Sequence, residues 1–91
     1  MASKAPQSTT SVVQGGKVSI RTVADLGRLL RQQREQQKLS IHHAASLSGF
    51  SLRFVQDLEA GKPTIQMGRA LNYAAKLGVI LQATLAAEQE T

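Results

Sequence analysis

Apolar positions along this chain follow a helical period, broken three times by short polar or glycine-bearing stretches. Val23, Leu26, Leu29, Leu30 and Gln33 recur three and four residues apart, one face of an α-helix, while Arg28, Arg31 and Glu35 fall on other faces. Thr22-Val23-Ala24-Asp25 has the form of a capping box, an acid three residues after a hydroxyl, so the helix is expected to begin at Thr22. Asp25 replaces the usual Glu or Gln but still complements the helix dipole. The helix is expected to fade near Gln37-Lys38. Ser40 is a good cap for a second helix over about 41–47. Ser48-Gly49-Phe50-Ser51 reads as a tight turn, with Gly49 suited to positive φ. Ser51 caps a third helix over about 52–60, which Gly61-Lys62-Pro63 stops. Thr64 is expected to cap a fourth, over 65–77, with Met67, Ala70, Leu71 and Ala74 as its apolar stripe and Gly78 at its end.

The period then changes from 3.6 to 2. Val79, Leu81, Ala83 and Leu85 share one face of an expected strand over 79–87, and Ile80, Gln82 and Thr84 share the other. A lone strand needs partners for its backbone. They can come from Lys17–Arg21, a weaker alternating segment, or from a second copy of the chain, the preferred source. Residues 1–16, rich in Ser, Thr, Gln and Gly, are expected to form a disordered tail, and 88–91 a short acidic one.

Two short helices around a glycine-bearing turn are the pattern of a helix-turn-helix, which needs a small residue at the helix crossing (Ala45), Gly in the turn (Gly49), an apolar residue after it (Phe50) and apolar anchors beyond (Val55, Leu58). With Leu58-Glu59-Ala60-Gly61-Lys62-Pro63, the stretch resembles the lambda-repressor-like, Cro-type DNA-binding domains over residues 23–78. The resemblance implies a mostly α fold of four to five helices over 17–78, with a C-terminal β-strand pairing across a dimer. It also implies that Arg34 and Glu59 form a structural pair locking the first helix to the third. A narrower similarity, in Ile20–Gly27, Arg53–Thr64 and Leu77–Val79, is to HipB-type antitoxins. It implies a homodimer joined through Val79, Leu81, Ala83 and Leu85, repression of its own operon, and binding to a HipA-type Ser/Thr kinase toxin. Two positions depart from the family pattern: Ile41 stands where a phosphate-binding Gln is usual, and Ala44 replaces a bulkier residue. Leu47 and Phe50 are expected to supply the lost volume.

Composition sharpens this picture. The chain has 91 residues and a net charge of +5. Residues 1–38 hold seven basic and two acidic groups, whereas 39–91 are balanced, four against four. A basic half on a small domain points to a polyanion such as nucleic acid, and only three aromatics argue against a base-stacking platform for single strands. The absence of cysteine excludes disulfides and makes a reducing cytoplasm the default; no apolar run approaches a membrane span, and no secretory signal is evident.

The expected partner is double-stranded DNA with a palindromic operator, read by the third helix in the major groove. The base-reading candidates are Ser51, Leu52, Arg53, Gln56 and Asp57. The Arg53 fork matches guanine, Gln56 adenine, Leu52 a thymine methyl, and Asp57 the amino group of cytosine. Lys38, Ser40, His42 and Lys62 are phosphate candidates, each Lys being equally readable as a solvated surface charge. Phe54 reads as a core anchor with Leu58 or as an exposed plug for a partner. His42 and His43 are adjacent and diverge on a helix, so they do not chelate one metal. Gly15-Gly16 lacks the lysine of a phosphate loop. No metal, cofactor or catalytic residue is expected, and the chain reads as a non-enzyme. Three functions fit: a repressor that is also an antitoxin, a stand-alone regulator of the same fold, and a protein-interaction adaptor that leaves DNA aside.

Overall fold

A computed structural model describes residues 16–86. The tail expected over 1–15, the end of the strand expected at 87 and the acidic tail at 88–91 lie outside the described residues. Within them are four helices: α1 (Val23–Gln36), α2 (Ile41–Ser48), α3 (Leu52–Glu59) and α4 (Met67–Lys76).

Three of the four starts are made by side chains chosen for the purpose. At α1 the amide of Asp25 donates to Thr22 Oγ1 at 3.1 Å, and the amides of Thr22 and Arg21 donate to Asp25 Oδ2 at 3.2 and 2.9 Å. These bonds, led by that from Arg21, hold the Asp25 carboxyl below its ordinary pKa. Ser40 caps α2 through the amide of His43, and Ser51 caps α3 through that of Phe54, both at 3.0 Å. Lys38, with φ of 62°, turns the chain out of α1, and Gly49, with φ of 82°, makes the sharp exit from α2.

The fourth start differs from expectation. Thr64 does not cap α4; the chain makes one more turn, closed by the amide of Ile65 on Lys62 O at 3.1 Å, and α4 begins after Gln66, which makes no side-chain cap. The buried stripe of α4 is also rotated. Ala70, Tyr73, Ala74 and, just beyond, Leu77 face inward, while Met67 and Leu71 are exposed. Tyr73 explains the rotation: it is the largest fully buried side chain, and placing it in the core turns Met67 and Leu71 outward.

Leu26 and Leu30 of α1, Ala45 of α2, Val55 and Leu58 of α3, and Ala70, Tyr73, Ala74 and Leu77 make one core. Helices of eight residues do not persist alone in water, so α2 and α3 exist because they pack. Each fully buried leucine supplies about 1.5–3 kcal/mol. Leu47 does not share in this core: its side chain is 66% exposed, so the volume lost at Ala44 is not recovered there. Phe50 does pack inward, stacked on Phe54 with ring centroids 5.0 Å apart and edge-on to Tyr73.

No strand forms among the described residues; neither 17–21 nor 79–86 carries a ladder. The physical reason lies in the chain itself, since a strand is defined by its partner and a single copy offers none in register. The two-residue alternation nevertheless survives at its start. Val79 and Leu81 pack against the core, Ile80 and Gln82 face out, and Ala83 and Leu85 are exposed.

Candidate nucleic-acid interface

The face of α3 turned away from the core is open. Ser51, Arg53 and Gln56 are exposed, with the Arg53 side chain at 78%, whereas Val55 and Leu58 on the opposite face are fully buried. Leu52 and Phe54 lie between these faces and pack against the core. Leu52 therefore presents only part of its side chain to solvent. Phe54 serves as an inner anchor, its ring covered by the Arg69 guanidinium 5.5 Å from the centroid.

Asp57 is at the edge of this face, three-quarters buried and held between two cations. Its Oδ1 accepts from Arg53 Nε at 3.2 Å, and its Oδ2 is 3.6 Å from Lys62 Nζ. The four candidates Arg53, Gln56, Asp57 and Lys62 are thus brought to one side of α3 or its exit. Ser40 and His42 lie exposed at the start of α2, with the Ser40 hydroxyl committed to its cap, and Lys38 is exposed in the turn before it.

The rigidity of α3 has two sources. One is backbone contact. Gly27 in the middle of α1 lies so close to the end of α3 that a Cβ there would clash with Leu58 O and sit 2.8 Å from Glu59 O. The other is an ion pair across the same crossing. Arg34 Nε and Nη2 donate to Glu59 Oε2 and Oε1 at 2.6 and 3.1 Å, and Nη1 donates to Leu39 O at 2.8 Å. Both side chains are about nine-tenths buried, at 10% and 8% exposure. The hydrogen bond to Glu59 raises the Arg34 pKa further above its ordinary value.

Three features were not anticipated by sequence reasoning. Gly27 had a weak signal, since a glycine inside a helical pattern costs about 1 kcal/mol relative to Ala and so points to a packing reason. Gln37 Nε2 donates to Leu77 O at 2.9 Å and ties the end of α1 to the end of α4, with no sequence signal at all. Gln33, read only as a member of the α1 stripe, is buried with its Oε1 unpartnered. It lines a groove of about 510 Å³ with Leu29, between Gly16–Ile20 on one side and Gly78–Gln82 on the other.

The outline of the chain matches known sequences. A family model described as a helix-turn-helix domain matches residues 25–87. An HTH-type transcriptional regulator, y4mF of Sinorhizobium fredii (strain NBRC 101917 / NGR234), is 48% identical over 59 residues, which cover 65% of this chain and 78% of that protein. No solved structure matches the chain.

Proposed function

Because this chain belongs to the helix-turn-helix domain family, we propose that it is a sequence-specific DNA-binding transcriptional regulator that acts as a repressor. The observation that carries this reading is the open, polar face of α3, with Arg53 and Gln56 side by side on a helix braced from behind. An α-helix fits the major groove of B-DNA, and a fork or a carboxamide at its N-terminal half meets base edges. The Lys62 ammonium, the Lys38 ammonium, His42 and the first-turn amides of α2 are the phosphate contacts. Those amides take over from the glutamine that Ile41 replaces, because the first turn of a helix carries N–H groups without intrahelical acceptors.

The functional unit is a homodimer on a palindromic operator. The exposed side chains of 80 and 82–85 and the groove beside 78–82 support this: Ile80 and Leu85 are exposed large apolar residues, and Gln33 Oε1, which lines the groove, lacks a donor. A strand contributed by a second copy supplies both the missing ladder and an N–H for Gln33. The finer reading, an antitoxin that neutralises a HipA-type kinase, rests on the likeness of residues 20–27, 53–64 and 77–79 to such antitoxins.

A mobility-shift assay with the promoter region upstream of the gene tests the main reading. A discrete shifted band at moderate salt is expected, weakening as salt rises because phosphate contacts release counterions. No shift against that region would sink it. Sedimentation tests the dimer, and co-purification of a kinase encoded alongside tests the antitoxin role.

A further inference from the structure

We propose that Asp57 is a positioning residue that sets specificity by orienting Arg53, and that it does not itself read a base; this rests on the DNA-binding reading above. Both carboxylate oxygens are engaged by protein cations: Oδ1 by Arg53 Nε at 3.2 Å, and Oδ2 by Lys62 Nζ at 3.6 Å. Accepting from the amino group of cytosine would put a third donor on a carboxylate that already faces two cations and is three-quarters buried. Asp57 also lies deeper than its partner, at 25% exposure against 78%, so Arg53 projects beyond it.

The chemistry of the guanidinium gives this arrangement a consequence. A guanidinium offers five N–H donors in a planar fork. With Nε held by Asp57, the donors left pointing outward are those of the two Nη groups. That end presents two parallel N–H groups at the spacing of guanine O6 and N7. The carboxylate therefore selects one of the several edges that a free arginine can present, and it holds the plane of that edge relative to α3. Lys62, anchored in the turn after α3, neutralises the carboxylate and fixes it from the other side. The ordering cost of a long exposed side chain is met before DNA arrives, which favours the matched base over the rest.

The test uses the full chain and a pool of duplexes randomised over two helical turns, from which bound molecules are selected. Wild type, Arg53→Ala, Asp57→Asn and the double variant are compared. An exposed i, i+4 ion pair adds little to folding, so thermal midpoints are expected to agree. Wild type is expected to enrich guanine at one position in each half-site, and Arg53→Ala to lose that preference. Asp57→Asn is expected to reduce discrimination at the same position about twofold, the factor by which a pair of this kind preorganises the side chain. Its binding to unselected duplex should hold or tighten, because a negative charge near phosphates is gone. The double variant should match Arg53→Ala, since the two residues act as one unit. Undiminished guanine preference in Asp57→Asn overturns the proposal. So does loss of preference at a base pair that Arg53→Ala leaves intact, which would make Asp57 a direct reader. If Arg53→Ala selects the same sequences as wild type, Arg53 is not the reader and the proposal falls while DNA binding stands. If wild type selects no sequence, the DNA-binding reading falls and takes this inference with it.

Discussion

The crossing of α1 over α3 and the groove between residues 16–20 and 78–82 lie on the same helix, and they are finished to different degrees. At the crossing nothing is left over. Gly27 admits the α3 backbone at contact distance, and the Arg34 guanidinium spends its fork on Glu59 and Leu39 O. At the groove, on another face of α1, Gln33 has a buried oxygen without a donor, and the groove-lining Ile80 is exposed to solvent. A polar group pays its desolvation cost when buried, so a native chain rarely leaves one unmatched without cause. One face of α1 is closed within a single copy and positions α3; another keeps a buried acceptor without a donor among the described residues.

Four substitutions break or sharpen that contrast. The largest effect is expected from Arg34→Ala, which strands the Glu59 carboxylate in the interior and costs about 3–5 kcal/mol in denaturant unfolding. Replacing both partners by apolar residues of similar volume should recover most of that loss, and failure to recover would show that the pair does more than neutralise itself. Gly27→Ala comes next. The new Cβ meets backbone, which cannot rotate away, so α1 and α3 must separate at a cost of about 2–3 kcal/mol. Operator affinity should drop with it, because α3 loses its support. An unaltered melting midpoint would mean the crossing is looser than its distances say.

The third prediction is a pH dependence. Burial pushes the Tyr73 hydroxyl up to about 12 from its ordinary 10.0. The folded state therefore prefers the neutral phenol. The resulting stability is fully present below pH 10 and is lost as pH climbs from 10 towards 12. Tyr73→Phe should flatten that alkaline loss, and because the hydroxyl has no partner the variant should be no less stable at neutral pH. Unfolding midpoints across the alkaline range, compared with wild type, provide the check. The smallest effect belongs to the groove. Gln33→Met removes the orphan oxygen and should stabilise the chain by about 1 kcal/mol in dilute solution, while weakening self-association measured by sedimentation. Unchanged association would remove Gln33 from the interface.

Much of the frame was legible because its signals are local. Thr22, Ser40 and Ser51 mark helix starts through bonds that reach only three residues, and Gly49 marks a turn through its own φ. The apolar period of α1 and α3 names Leu26, Leu30, Val55 and Leu58 as inner residues without reference to what they touch. Where the reading failed, the missing information was non-local. Met67 and Leu71 share a face with Ala70 and Ala74 closely enough that hydropathy cannot rank the two edges of the stripe, and the rotation was set by where Tyr73 fits. Leu47 has the right chemistry for the core but lies on the outer side of α2. The candidates on α3 were named from the pattern as a group, yet the pattern is silent on the difference between Gln56, free in solvent, and Asp57, held between Arg53 and Lys62.

Sequence alone determined the order of the helices, the caps of the first three and the two apolar faces that bring α2 and α3 together, because those follow from backbone hydrogen bonding and periodicity within a few residues. Tertiary structure alone decided how closely α1 approaches α3, which edge of the α4 stripe turns inward and that Gln37 ties the end of α1 to the end of α4. These are outcomes of packing between residues as much as 40 positions apart, and they depend on distances in space that no spacing along a chain encodes.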